Sequence, residues 1–429
     1  MSLSLIAFVR DEPLFARVLL ADLISKTGDG AHELAFVLLA LAVTNGDLHS
    51  VGWIYFLRFL PYLIAGPLGG RLADTRDARR VMLFCDTARG GVTVALAVAV
   101  GLNALTPWGL AAAGCVMTTF RTLFQPAFQA SVPRLVDAER LVFANGMTQI
   151  SIEVGGAIGP ALAGVLLWAG SLTWVIAFDA LTYGVAWWIL MSIRPEARGA
   201  FVPAPESAGT ADQPTSHWVA RVQRAWVMWW QACREIGVSP PLFSAIVMSS
   251  ICILFVGAAL RVMIPAWALE VGGSESTAAL VASLIAGGTI AGASVFARRV
   301  RRLSAVRLLC YWAIYGGILA LLPLHQGVFW LLSVAVVMGV AGACVDIVLA
   351  SLIQRHSRAS SVGTNFSVFS TLANTGEALS AVLAGVLVGM CGLSGGLMCS
   401  GLLVVAASVL GVWLVARRTG AHCEVVDAK

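Results

Sequence analysis

The charge of the loops between the apolar segments is the feature that most constrains this chain. Alternate connectors contain no lysine or arginine: 44–50, 102–107, 169–172, 270–276, 324–327 and 391–396. The connectors between them are rich in arginine: 71–80, 133–140, 194–234, 298–302 and 355–358. Because basic loops stay on the cytoplasmic side of a membrane, this alternation predicts a multi-pass protein of the bacterial inner membrane with both termini in the cytoplasm.

The apolar segments themselves predict an all-α membrane protein. The chain is 59% apolar and 12% charged, whereas soluble domains are about half apolar and about a quarter charged. A membrane-spanning helix needs about 20 mostly apolar residues, and the chain contains about twelve such segments. The predicted spans are 15–43, 51–70, 81–101, 107–130, 142–168, 172–193, 241–268, 277–297, 305–323, 328–353, 361–389 and 394–416.

The only long hydrophilic interval divides these spans into two halves, which predicts two pseudo-symmetric six-helix bundles. The predicted domains are an N-terminal bundle over 1–194, a cytoplasmic linker over 195–239, a C-terminal bundle over 240–418 and a cytoplasmic tail over 419–429. An arginine cluster follows the second span of each half, as expected for internal repeats in a transporter. Trp218, Val222, Trp226, Trp229 and Trp230 recur at helical spacing, so the linker is expected to contain an amphipathic helix at the membrane surface.

The remaining composition argues against several other classes of protein. The net charge of +5 comes mainly from the basic loops, so we expect contact with the lipid bilayer and none with nucleic acid. Nine scattered cysteines with no CxxC pair predict neither a disulfide framework nor a metal site. The N-terminus lacks the pattern of a cleavable signal, so the first long helix is expected to direct insertion.

Two motifs resemble those of the major facilitator superfamily. GRLADTRDARR, residues 70–80, is similar to the loop between spans 2 and 3, with matches at Gly70, Leu72, Ala73, Asp74, Arg79 and Arg80. Thr75 stands where a basic residue is usual, and the final arginines are one residue further along. We expect Asp74 to cap a neighbouring helix or to pair with an arginine, and so to help hold one conformation.

The second motif, GGAIGPALAG over 155–164, lies in span 5. It is similar to the GxxxGPxxGG pattern of the superfamily's exporters, with matches at Gly155, Gly159, Pro160 and Gly164 and with Ala163 in place of one glycine. Small residues four apart let helices approach closely, and a generic packing face is the alternative interpretation. The resemblance implies export in preference to uptake.

The N-terminal half resembles, more narrowly, the branch of macrolide efflux proteins and enterobactin-type siderophore exporters. The residues that carry this likeness are 23–30, 56–74 and 121–136. The likeness covers the whole chain in its pattern of spans, but its motifs are specific only in the first half.

Charged residues inside the apolar spans are the candidate substrate and proton-coupling residues, because a charge in hydrocarbon is costly unless it faces protein or water. Asp22, Lys26, Asp29 and Glu33 are spaced so that they share one face of span 1. The other candidates are Arg58, Arg121, Glu153, Asp346 and Glu377. The resemblance places spans 1, 4, 7 and 10 along the cavity and so favours Asp29, Glu33, Arg121 and Asp346. Structural salt bridges are the alternative role for each.

These observations predict a secondary active transporter, specifically a proton-coupled exporter of a bulky amphipathic small molecule such as a siderophore or a macrolide-like drug. The alternatives are an importer of a siderophore or metabolite, a lipid or lysolipid flippase and, from other classes, a membrane sensor or enzyme. We expect no catalytic residues, no metal and no cofactor beyond the proton gradient as driving force, and we expect the chain to act as a monomer.

Overall fold

Helices account for all of the regular structure in the described part of the chain. The computed structural model describes residues 8, 10–45, 48–169, 171–202, 218–272, 275–299 and 303–427, and no strand occurs within these ranges. The predicted connector residues 46–47, 170, 273–274 and 300–302 and the linker residues 203–217 lie outside the described residues. An all-α fold, as the apolar segments predict, is therefore confirmed for the described ranges.

The described residues between Pro13 and the linker form a series of helices. They are α1 (Pro13–Val43), α2 (Leu48–Phe59), α3 (Pro61–Thr75), α4 (Ala78–Gly101), α5 (Pro107–Leu135), α6 (Leu141–Ala169) and α7 (Leu172–Met191). A 3₁₀ segment, Pro195–Phe201, follows α7, and the linker then contains α8 (Trp218–Val238). This last helix agrees with the helical spacing of the linker tryptophans, and the rings of Trp226 and Trp229 pack edge to face with centroids 5.9 Å apart.

The described residues after the linker form a second series of helices. They are α9 (Pro240–Val271), α10 (Glu275–Arg299), α11 (Ala305–Leu321), α12 (Val328–His356) and α13 (Val362–Asp427). Two π-helical turns, Ser244–Met248 and Ala259–Met263, interrupt α9. Such turns often occur at functional sites.

Several helices in the described ranges are long and apolar enough to cross a membrane. They are Ala78–Gly101, Leu141–Trp168, Leu172–Met191, Pro240–Val271, Ala305–Leu324, Val328–His356 and Val382–Arg417. The helix α1 is long enough at 31 residues, but it also carries the four charged residues of the predicted span-1 face. Length and composition therefore identify the C-terminal spans more readily than the N-terminal ones.

Local chemistry explains where helices begin and where two spans differ from prediction. The side chain of Asp77 caps α4 by accepting hydrogen bonds from the backbone N–H groups of Arg79 and Arg80. The predicted span 51–70 is divided at Leu60, because Pro61 lacks the N–H group that would continue α2. Spans 11 and 12 are instead nearly continuous, and only Gly392, with φ of 72°, leaves helical geometry between them.

The described residues pack into two compact units. The first comprises 1–141, 151–229 and 358–367, and the second comprises 142–150, 230–357 and 368–429. An apolar core in the first unit joins α1, α2, α4, α5, α6 and α7. The short segment 358–367, which contains the start of α13, packs with the first unit although it lies late in the sequence.

Glycine contacts hold α1 against its neighbours within the first unit. A side-chain carbon added at Gly155 of α6 would lie 2.6 Å from Cβ of Lys26, and one at Gly159 would lie 2.7 Å from the backbone nitrogen of Ala31. On another side of α1, a carbon added at Gly28 would lie 2.6 Å from a carboxylate oxygen of Asp179 in α7. The exporter-like motif therefore brings α6 into backbone contact with α1, next to the charged face of that helix.

Not every residue of the motif makes such a contact. Nothing lies within 4 Å of the position that a side chain would take at Gly164. Pro160 lies inside α6, and its ring approaches Gly30 of α1. The packing role thus belongs to Gly155, Gly159 and Pro160.

The two glycines of this motif provide a matched test of the contact. We expect Gly159→Ala to destabilise the protein by roughly 1–3 kcal/mol, because the added methyl group meets backbone that cannot move without separating two helices. Gly164→Ala should leave stability unchanged or raise it slightly, since alanine favours the helix. Thermal unfolding followed by tryptophan fluorescence measures both variants. Equal melting temperatures for the two would contradict the close contact between α1 and α6.

Candidate functional site

Most of the charged face of α1 is buried against other helices of the first unit. Asp22 is 3% exposed and accepts a hydrogen bond of 3.3 Å from the hydroxyl of Ser151. The Nζ atom of Lys26 lies 3.9 Å from a carboxylate oxygen of Asp29. The carboxylates of this face therefore have partners other than Lys26, and each lies in a different environment.

Glu33 at the C-terminal end of this face is paired with Arg58 of α2. Two parallel hydrogen bonds of 3.0 and 2.6 Å join the guanidinium to the carboxylate. The guanidinium of Arg58 also lies 4.3 Å from the centre of the Phe36 ring. Arg58 is buried, whereas the Glu33 side chain is 51% exposed. The pair therefore joins a buried cation to a carboxylate that solvent can reach.

Asp29, in the middle of the face, has three polar neighbours. It accepts a hydrogen bond of 2.5 Å from the hydroxyl of Tyr183 in α7, and it lies 3.8 Å from a guanidinium nitrogen of Arg89 in α4. Arg89 donates a 2.6 Å hydrogen bond to Asp86 one turn earlier and lies between the rings of Phe124 and Tyr183, each 4.6 Å from its guanidinium carbon. Asp29 thus connects α1 to both α4 and α7.

A second buried pair joins α1 to α7. Nδ1 of His32 lies 2.9 Å from a carboxylate oxygen of Asp179, and both side chains are buried. A charged group this far from solvent is stable only beside a group of opposite charge or a hydrogen-bond partner.

A small cavity opens between these groups. Its volume is about 30 Å³, which leaves room for one or two water molecules. Arg121 of α5 lines the cavity together with Thr118 and Met117 of the preceding turn, and its side chain is exposed. Asp29, His32, Glu33, Arg58, Arg89 and Tyr183 complete the lining. The cavity is therefore a polar, mixed-charge site within the first unit.

We call the following residues the charge cluster: Lys26, Asp29, His32, Glu33, Arg58, Asp86, Arg89, Arg121, Asp179 and Tyr183. The sequence analysis selects five of them as site residues: Lys26, Asp29, Glu33, Arg58 and Arg121. It misses Asp86, Arg89, His32, Asp179 and Tyr183 as site residues. Asp86 and Arg89 carry the same signal as the face of α1, namely opposite charges three residues apart within an apolar segment.

The structure places four predicted candidates outside this cluster, and one of them, Asp22, shares the charged face of α1. Glu153 lies on α6 and is partly buried, and Asp346 lies on α12 with its side chain exposed. Within the second unit, Glu377 of α13 accepts a 2.6 Å hydrogen bond from Arg261, which stands on the second π-helical turn of α9. Arg261 is not among the predicted site residues.

The aspartate of the loop motif caps the start of α13 within the first unit. One carboxylate oxygen of Asp74 accepts a 2.6 Å hydrogen bond from the N–H of Gly363, and the other accepts 2.8 and 2.6 Å bonds from the N–H and hydroxyl of Thr364. A side-chain carbon at Gly70 would lie 2.7 Å from Cα of Thr364. The helix-capping arrangement expected for Asp74 is therefore present.

The cap made by Asp74 is sensitive to pH. Asp74 lies in the connector 71–80, beyond the predicted span 51–70. Burial raises the pKa of the Asp74 carboxyl to about 7, while the hydrogen bonds from Thr364 and Gly363 and the charge of Arg134 oppose the rise. A group whose pKa is higher in the bound state favours that state at low pH. The contact is therefore favoured below the ordinary pKa of aspartate and weakens as pH rises through about 7.

The two arginines of the loop motif have different surroundings. Arg79 is buried and donates hydrogen bonds of 2.7 and 3.2 Å to the backbone carbonyls of Leu190 and Met191, which end α7. Arg80 is exposed and lies 3.4 Å from Asp77. Arg79 therefore links α4 to the end of α7, whereas Arg80 pairs within its own connector.

Comparison with known proteins agrees with this architecture. The family model of the Major Facilitator Superfamily matches residues 19–309, which is more than half of the chain. A solved structure of a bacterial homologue of the iron transporter ferroportin, in an outward-facing state with soaked iron, superposes with a TM-score of 0.72. That likeness covers 94% of this chain and 99% of the other at 16% identity, and it indicates a shared fold.

Relatives with assigned names match this chain at low sequence identity. The enterobactin exporter EntS of Citrobacter koseri is 26% identical over 388 residues, which cover 89% of this chain and 86% of the exporter. The lysophospholipid transporter LplT of Pectobacterium carotovorum is 25% identical, with coverage of 86% and 85%. Macrolide efflux protein A of Streptococcus pyogenes is 26% identical over 145 residues, 34% of this chain and 36% of that protein. By its sequence, and in keeping with its helical fold, the chain belongs to the Major Facilitator Superfamily.

Proposed function

We propose that this protein is a secondary active exporter that moves a bulky amphipathic small molecule out of the cytoplasm and uses the proton gradient as its energy source. The charge cluster and its cavity carry the proposal. Charged residues at the depth of a membrane span are costly, and they are typical of substrate paths and proton relays. Exporters among the relatives of this chain support the outward direction.

The proposal includes a topology and a mechanism. Twelve spans in two six-helix halves cross the bacterial inner membrane, and both termini and the arginine-rich loops lie in the cytoplasm. Transport proceeds by alternating access, in which the two halves rock around a central site. The chain acts as a monomer.

Proton exchange is assigned to Asp29 and Glu33. Asp29 lies beside Arg89 and accepts a hydrogen bond from Tyr183. Glu33 is paired with Arg58. Protonation of a carboxylate removes the attraction to its arginine, so a change of partner and a change of protonation accompany each other. Glu33 is the more exposed of the two and is the entry point for a proton.

Lysophospholipid transport is the second candidate function. A relative of that name matches this chain over a length similar to that of the siderophore exporter. Both kinds of molecule are bulky and amphipathic, so the charge cluster suits either one. Membership of the transporter superfamily weighs against the alternatives of a membrane enzyme or a sensor.

A transport assay in proteoliposomes tests the proposed function. Labelled enterobactin, a labelled lysophospholipid and the macrolide erythromycin serve as probes, and the pH gradient and the membrane potential are imposed separately. We expect a pH gradient to drive movement of at least one probe with the wild type. Asp29→Asn and Glu33→Gln should abolish the part that depends on the pH gradient, because neither amide can exchange a proton.

Controls separate this effect from loss of folding. Glu139→Gln changes an exposed carboxylate of the connector 133–140 and should leave transport unchanged. Glu33→Gln leaves the buried Arg58 without its partner, so the double variant Glu33→Gln, Arg58→Gln is measured beside it. Product formation from a probe without its movement would support an enzyme, and unchanged pH dependence in both single variants would remove Asp29 and Glu33 from the mechanism.

The cap on α13 gives a separate test of the conformational mechanism. We propose that the bonds from Gly363 and Thr364 to Asp74 hold one state of the transport cycle and break in the other. Hydrogen exchange of the segment 362–367 measures this directly. Asp74→Asn should speed its exchange roughly tenfold to hundredfold, because the amide NH₂ group cannot accept the bonds that one oxygen of Asp74 receives, and a buried donor left without an acceptor costs about 1–3 kcal/mol.

Asp77→Asn is the matched control, since Asp77 caps a different helix, α4, in the same connector. It should leave exchange in 362–367 unchanged. After correction for the intrinsic effect of pH, protection of this segment in the wild type should fall roughly tenfold between pH 6 and pH 8, as the pKa of Asp74 predicts. Protection that is independent of Asp74 and of pH would show that the cap does not hold this state.

A further inference from the structure

The three arginines that line the cavity differ in how fully their donors are used. Arg58 gives two hydrogen bonds to Glu33 and lies against the ring of Phe36. Arg89 bonds to Asp86 and lies between two aromatic rings. Both guanidinium groups are buried and each already has a carboxylate partner, although Nε of Arg89 has no hydrogen-bond partner among the described residues. Neither group is therefore available to a ligand without first losing that partner.

Arg121 differs from Arg58 and Arg89 both in its exposure and in its partners. Its side chain is exposed, and no carboxylate of the described residues lies within the 4.0 Å of an ion pair from its guanidinium. Asp29 and Glu33 influence it only from a greater distance, together with the hydroxyls of Tyr62 and Tyr183. A guanidinium carries five N–H donors and no acceptor, so its remaining capacity suits an anion.

The carboxylates of the charge cluster support the same assignment. Asp29, Glu33, Asp86 and Asp179 each have a cationic or imidazole partner within 4 Å. If Arg121 only balanced the charge of these residues, it would be expected to lie in direct contact with one of them. Its position on the cavity wall, without a carboxylate in direct contact, leaves it available to an anion that enters the cavity.

The size of the cavity limits what can approach this arginine. About 30 Å³ accommodates a carboxylate or a similarly compact oxyanion but not the body of a bulky molecule. Met117 and Thr118, one helical turn before Arg121, supply one apolar and one hydroxyl contact at the same wall. An amphipathic molecule would therefore place a small acidic group here and leave its larger apolar part outside.

We propose that Arg121 binds a compact oxyanion, a carboxylate or a phosphate group, carried by the transported molecule. The proposal rests on the proposed function for the identity of the molecule as a transport substrate. Binding of the acidic group itself does not depend on transport. Planar, two-pronged hydrogen bonding to an oxyanion is the geometry that arginine provides and lysine does not.

A binding assay with matched probes tests this proposal. The full chain is placed in nanodiscs, and the fluorescence of 11-(dansylamino)undecanoic acid is compared with that of the corresponding neutral alcohol and of the trimethylammonium compound, with empty discs subtracted. We expect the wild type to bind the acid more tightly than the other two. Arg121→Gln should weaken binding of the acid roughly tenfold to hundredfold and leave the alcohol unchanged.

Further variants keep the test decisive. Arg121→Lys retains the charge without the fork of donors and should give an intermediate Kd for the acid. Arg307→Gln removes one positive charge from the exposed start of α11 and should change no probe. Displacement by inorganic phosphate or acetate alone would show a site for free anions, whereas displacement only by an alkyl phosphate or fatty acid would show that the apolar part is also bound.

Two results would overturn the proposal. One is equal affinity of the wild type for the acid and the alcohol, and the other is an unchanged Kd for the acid in folded Arg121→Gln. If the acid binds as expected but no probe moves in proteoliposomes, the proposed function fails and the oxyanion site stands. If transport is retained and Arg121→Gln leaves both transport and acid binding unchanged, only the oxyanion site fails.

Discussion

A charged group in hydrocarbon needs either a partner or water, and the first unit of this chain is organised around that requirement. Every carboxylate of the charge cluster has a partner from another helix or from an adjacent turn of the same helix. Glu33 joins α1 to α2, Asp29 joins α1 to α4 and α7, and His32 with Asp179 makes a second link between α1 and α7. The same contacts that make the charges tolerable therefore fix the positions of the helices around the cavity. Removing one partner leaves a buried charge, so binding chemistry and stability depend on the same atoms.

Backbone contact at glycines makes this arrangement possible. Gly28 gives α7 access to α1 at the level of Asp179, and Gly155 and Gly159 do the same for α6 on another side. A helix held this closely on two sides cannot easily rotate, so its charged face stays directed at α2, α4 and α7. The motif that resembles those of exporters thus acts here through the position of α1 as well as through the proline in α6.

The sequence was sufficient to predict the all-α fold, the helical linker segment and the charged face of α1, because each depends on a local pattern of apolar or charged residues. For Asp74 it predicted either a helix cap or a pair with an arginine, and the structure contains the cap. The partners could not be predicted in the same way. Gly363 and Thr364 lie almost 300 residues from Asp74, and the pairing of His32 with Asp179 depends on how α1 and α7 pack. Asp86 and Arg89 had a readable local signal, but their importance comes from Asp29, which is distant in sequence. The break at Leu60 and the near-continuity around Gly392 depend on local backbone geometry that hydropathy does not encode.

The charge of the transported molecule also constrains how energy is used. An oxyanion at Arg121 repels the ionised forms of Asp29 and Glu33, so its binding favours their protonation, and by linkage protonation favours its binding. Such positive coupling by itself moves a proton and an anion in the same direction, which is uptake under the gradient of a living cell. Export of a purely acidic molecule therefore relies on the inside-negative potential, which contributes about 2.3 kcal/mol per charge for each 100 mV. Exchange of the transported molecule against protons requires a positive charge on that molecule, which competes with the proton for the carboxylates of Asp29 and Glu33. A molecule with an acidic group at Arg121 and a basic group near the exposed Glu33 allows such an exchange. The arginine holds the acidic group, while the basic group and the proton compete for the carboxylate of Glu33.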